Sequence, residues 1–173
     1  DNTLGKIASD IVGEVKADRE SRHEWEFSYT KGLDLLGFKH QERSEPFQGA
    51  SSVTHPLLAE SVTQFQAQAF KELLPPSGPV KTNILGEETP EVVAQADRVQ
   101  DYMNYQITDK MEEYTPDMDQ LLFHLPLAGS AFKKVYYEAT KQSAVSKFIP
   151  SEDLIVNYLA TDLQSAERVT HIV

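Results

Sequence analysis

The residues best suited to chemistry are a knot of carboxylates, Glu112-Glu113 with Asp117 and Asp119. Hard oxygen ligands at this density could bind magnesium or manganese and activate a water for hydrolysis. The calcium-loop spacing with its glycine does not accompany them. The competing reading is that acids following Thr115 complement the positive end of a helix dipole, and the spacing favours it. The five histidines, His23, His40, His55, His124 and His171, have no partner histidine three or four residues away, so no local metal pair is encoded. Lys133-Lys134 beside Tyr136 and Tyr137 could stack on bases. Adjacent strand residues point to opposite faces, however, so the four side chains divide between two surfaces.

Other chemistries are excluded by what the chain lacks. The 173 residues include no cysteine, which removes thiolate nucleophiles, disulfides and cysteine zinc sites. There is no glycine-rich phosphate loop, no Gly-x-Ser-x-Gly elbow and no His-Glu-x-x-His. No catalytic, cofactor-binding or metal-binding residue is assigned, and the expectation is a protein that is not an enzyme. The formal net charge is −11, opposite in sign to a surface that grips phosphates. No apolar run approaches the roughly 20 residues of a membrane span.

Apolar positions recur at helical spacing from Leu4 to Leu36 (Ile7, Ile11, Val15, Trp25, Tyr29, Leu33). They predict one long helix or two joined pieces, with Gly37 as C-cap. Residues 38–52 read as a long loop around Pro46 and Gly49. Thr54 is placed to cap a helix carrying Leu58, Val62, Phe65, Ala69 and Leu73, ended by Pro75-Pro76. Val80–Leu85 alternates like a short strand. Thr89-Pro90-Glu91 starts a helix whose apolar face runs to about Tyr114, and Thr115-Pro116-Asp117 repeats the signal for a helix interrupted near Pro126. Residues 131–138 and 144–149 flank a polar turn and predict a β-hairpin, and 154–157 and 168–173 predict further strands. The sum is an α+β fold: several long amphipathic helices, then a small antiparallel sheet. The divisions expected are a helical arm over 1–37, helices and loop over 38–130, and sheet over 131–173. All belong to one portion of a longer polypeptide, truncated at both ends.

Three stretches stand out: Lys31-Gly-Leu-Asp-Leu-Leu-Gly-Phe38, residues 46–60 (Pro-Phe-Gln-Gly-Ala-Ser-Ser-Val-Thr-His-Pro-Leu-Leu-Ala-Glu) and residues 65–75. With residues 86–90, 103–106, 125–130, 132–137 and 150–154, from about Arg22 onward, they resemble the portal proteins of tailed bacteriophages of the short-tailed type. The resemblance implies an N-terminal wing region of a dodecameric ring at the capsid vertex. Double-stranded DNA would be packaged and ejected through that ring without tight binding. It implies no cofactor, and partners that are further copies of the chain, terminase, capsid and tail adaptor proteins, with no membrane. The location implied is the virion, after assembly in the host cytoplasm. Trp25, Tyr29, Arg43, Glu45 and Phe47 are the candidate subunit contacts. Another head–tail connector or adaptor module, and a metal-dependent hydrolase built on the acidic cluster, are the alternatives.

Overall fold

The computed structural model describes residues 2–37, 47–48 and 55–173. The expected loop over 38–52, apart from Phe47 and Gln48, and the expected cap Thr54 lie outside the described residues. Among the described residues, five α-helices precede two antiparallel two-stranded ribbons, with 55% helical and 13% in strands, so the class is α+β. The helices are α1 (Asn2–Ser21), α2 (His23–Leu36), α3 (Leu57–Leu73), α4 (Pro90–Tyr105) and α5 (Tyr114–Ala128). The strands are β1 (Phe132–Glu138), β2 (Ser143–Ile149), β3 (Leu154–Val156) and β4 (Val169–His171). The contacts divide the chain into two compact units, one of Asp1–Val62 with Pro150–Val173, the other of Thr63–Ile149. The strand-rich last third is thereby shared: β1–β2 belongs to the second unit and β3–β4 to the first.

In the first unit, α1 and α2 are separate helices. Arg22 leaves helical geometry (φ −103°, ψ 13°). The Ser21 hydroxyl donates to the Asp18 carbonyl at 2.6 Å, so a side chain competes for a backbone acceptor at the break. The C-terminal half of α1 packs on the β3–β4 ribbon. Residues 3–14 of α1 are exposed throughout, Leu4 at 74%. The unit's buried apolar side chains include Tyr29, Leu154 and Ile155.

In the second unit, Thr89 caps α4 as its sequence predicts. Its hydroxyl accepts from the Val92 N–H at 3.4 Å, and Pro90 occupies the first turn. The helix does not run to Tyr114. It ends at Tyr105 and widens into a π-helical turn, Gln106–Lys110, closed by Met111 N–H to the Gln106 carbonyl. Thr108 contributes to the widening, because its hydroxyl takes the Asn104 carbonyl at 2.9 Å. Thr115 is not the cap of α5. The helix starts one residue earlier, with Glu113 in the cap position and no side-chain cap bond. Pro116 is tolerated because first-turn N–H groups have no intrahelical acceptor. Pro126 lies inside the last turn without ending it, and Gly129, at φ +80°, closes the helix in the left-handed conformation. The hairpin pairs Phe132 with Ile149 through Glu138 with Ser143. Leu122, Ala128, Val145, Phe148 and Ile149 are the unit's buried apolar residues.

Val80–Leu85 forms no strand. Its backbone bonds to side chains instead: the Asn104 Oδ1 accepts from the Val80 N–H at 2.9 Å, and Nδ2 donates to the Val80 carbonyl at 3.2 Å. Gln100 Oε1 accepts from the Thr82 N–H at 3.1 Å. Two amides on one face of α4 thus replace a neighbouring strand. Gly78 makes the approach possible: at φ +91°, a Cβ there would lie 2.4 Å from Asn104.

Candidate functional site

The densest polar constellation lies in the first unit and centres on Arg22. Its guanidinium is buried, with 7% of the residue exposed. Nη1 donates to the carbonyls of Ser151 at 3.0 Å and Leu154 at 2.9 Å, and Nη2 to that of Glu152 at 2.8 Å. Nε pairs with Glu26 at 3.0 Å. One cation therefore holds the whole turn that leads into β3, and charge-assisted bonds offset its desolvation. Trp25 lies beneath the guanidinium at 5.2 Å and stacks on Tyr29, with centroids 5.3 Å apart and planes 5° from parallel. Burial pushes the Tyr29 hydroxyl above its ordinary pKa, and the Glu152 carboxylate adds to the shift.

One turn earlier, the buried Asp18 accepts from Arg168 through Nε at 3.0 Å and Nη2 at 2.9 Å, and from Asn157 at 3.3 Å. Arg168 also pairs with Glu14. The segment before β4 is thereby tied to α1.

The sequence signal for this network is periodic. Asp18 and Arg22 continue the spacing of Val15, Trp25 and Tyr29, placing charges on the stripe that packs. Composition alone groups them with the solvated residues of the first helix. Of the candidate contacts, Trp25 is half-buried, Tyr29 is buried within its own unit and Phe47 is exposed. Arg43 and Glu45 lie outside the described residues.

The two aspartates of the second unit's acidic cluster are spent on structure, whereas Glu113 Oε1 is buried without a hydrogen-bond partner among the described residues. Asp117 Oδ2 accepts from the Phe148 N–H at 2.7 Å, joining α5 to β2, and Asp119 Oδ1 accepts from Gln66 at 2.7 Å. Among the described residues, no group of three His, Asp or Glu side chains is placed to hold a metal ion. His124 lies against the Phe148 ring, at 5.3 Å between centroids.

The lysine pair divides as strand alternation requires. Lys133 Nζ sits 3.9 Å from the centre of the Tyr114 ring, buried and without a hydrogen-bond acceptor among the described residues. Burial pulls its pKa down, and the nearby Asp117 charge partly restores it. Lys134 is exposed, directly opposite Lys147 on β2.

No family of known proteins matches this chain, and no curated protein is significantly similar to it. Among the described residues, no helix is long and apolar enough to cross a membrane.

Proposed function

We propose that the chain is a structural subunit of a tailed-phage portal, contributing wing-region scaffold to a dodecameric ring at the capsid vertex. Double-stranded DNA passes through that ring during packaging and ejection, while terminase and tail adaptors dock on the assembled particle. The observation that carries the reading is the sequence resemblance running from about Arg22 to Leu154. Three features support it. The Arg22 and Asp18 networks hold turns against α1 and α2, and Asp117 and Asp119 hold α5 to its neighbours. Long helices expose apolar side chains, such as Ile7, Ile11 and Val12 on α1 and Val92, Val99 and Met103 on α4, as a chain does when neighbours in an assembly cover them. The net charge of −11 suits a passage along which DNA slides without being gripped.

Electron microscopy of the full-length protein tests the reading. Ring-shaped particles are expected. Monomers and irregular aggregates alone, across salt and concentration, would reject it.

A further inference from the structure

The β1–β2 ribbon has one covered edge and one open edge. On β2, the Phe148 N–H points at Asp117 of α5, away from β1. Antiparallel alternation then turns the backbone groups of Lys133, Val135 and Tyr137 towards the opposite edge, where β1 has no neighbouring strand among the described residues. Val135 is 69% exposed and Tyr137 67%. Soluble proteins usually blunt such an edge or pair it.

The same unit contains an unpaired extended segment, Val80–Leu85. Val80 and Thr82 are held on α4 by the Asn104 and Gln100 amides. Exposure alternates accordingly: Val80, Thr82 and Ile84 are half-buried, whereas Lys81, Asn83 and Leu85 are exposed, Leu85 at 92%. The backbone groups of Lys81 and Asn83 face away from α4 and make no backbone hydrogen bond to any described residue. Three backbone groups on one side of the segment thus already have the partners a strand would give them, and the other side bonds to no backbone group of the described residues.

The charges of the two edges match in one orientation. The segment runs from Lys81 to Glu87-Glu88, and β1 runs from Lys133-Lys134 to Glu138. Antiparallel pairing sets Lys81 near Glu138 and the glutamates near the lysines, whereas parallel pairing opposes like charges. Pairing β1 with β1 of another copy would bring the exposed Lys134 and Lys147 of both ribbons together, which disfavours a two-fold contact.

We propose that Val80–Leu85 of one copy adds as an antiparallel strand to the open edge of β1 in the next copy. Two different surfaces of the chain meet in such a contact, so it is head-to-tail and closes into a ring if the rotation permits. The inference rests on reading the chain as a self-assembling subunit, and it names the contact.

The absence of cysteine allows a clean test. Full chains carrying Asn83→Cys and full chains carrying Val135→Cys are mixed under assembly conditions and joined with a short bismaleimide. Sedimentation velocity follows the assembly of the wild type and of Val135→Pro, which removes an outward N–H without breaking a bond to β2, with circular dichroism confirming folding. The expected result is a cross-link between unlike variants far exceeding that of either alone, and self-association of Val135→Pro weakened on the order of tenfold or more. Should Val135→Pro misfold, the charge reversal Lys134→Glu is expected to weaken association and Glu88→Lys to restore it. Assembly with cross-links only between like variants, or with no cross-link and an unaffected Val135→Pro, overturns the contact and leaves the ring reading standing. A wild-type chain that stays monomeric throughout overturns both. If Lys134→Glu abolishes binding to duplex DNA and leaves assembly unchanged, the ribbon is a nucleic-acid surface and the proposal fails.

Discussion

The side-chain amide of Asn104 bonds Val80 twice, accepting from its N–H at 2.9 Å and donating to its carbonyl at 3.2 Å. The amide occupies the place of a neighbouring strand, which is why an alternating segment has no ladder of its own.

Asn104→Ala leaves both Val80 backbone groups without that partner. A loss of about 1–3 kcal/mol is expected. Urea unfolding measures the loss, and faster hydrogen exchange at Val80 and Thr82 than elsewhere in the second unit locates it. Gly78→Ala is expected to destabilise as well, through both its φ of +91° and the collision with Asn104. In the double variant the collision is relieved and the backbone strain persists, so the two effects should be less than additive.

Arg22→Met strips the Ser151, Glu152 and Leu154 carbonyls of their common donor. Breaking a buried charged network costs about 3–5 kcal/mol. Arg22→Lys recovers only part of this, because an ammonium cannot reproduce the planar fork. Trp25 is the sole tryptophan and lies 5.2 Å beneath the guanidinium, so its fluorescence reports the change directly.

Asp117→Asn weakens the tie between α5 and β2 by replacing a charge-assisted bond with a neutral one. A cost of about 1 kcal/mol is expected in urea unfolding. Titrating magnesium or manganese into the chain should give only heat of dilution, in the wild type and the variant alike, since Asp117 and Asp119 are already engaged. A binding isotherm lost on Asp117→Asn would restore the hydrolase alternative.

Alkaline pH acts on the two units with opposite signs. Tyr29 titrates above its ordinary 10.0 in the folded chain. The folded state therefore binds the extra proton, and its contribution, full below pH 10, is lost as pH rises through the raised value. Lys133 titrates below its ordinary 10.5. Here the unfolded state binds more protons, so stability rises with pH between the depressed value and 10.5. Urea midpoints from pH 8 to 11 should lose their alkaline decline in Tyr29→Phe and their opposing rise in Lys133→Met.

The sequence by itself determined the elements whose signals are local. Thr89-Pro90 starts α4 because a hydroxyl and a proline suit a helix start whatever surrounds them, and Gly129 ends α5 because it accepts a left-handed φ. The hairpin from Phe132 to Ile149 follows from period-two alternation around a polar turn. The α+β class follows from these pieces. Tertiary structure decided what depends on partners distant in sequence. Arg22 interrupts the first helical stretch while gripping carbonyls some 130 residues away, and no property of residues 1–36 announces those acceptors. Val80–Leu85 carries a strand pattern that remained unpaired because two amides of α4 reached its backbone first. Asp117 and Asp119 read as a cluster in sequence, yet the fold separated their duties between Phe148 and Gln66. Each difference has one physical cause: a buried or half-buried polar group takes whichever partner the packing brings within about 3 Å, and linear spacing does not specify that partner.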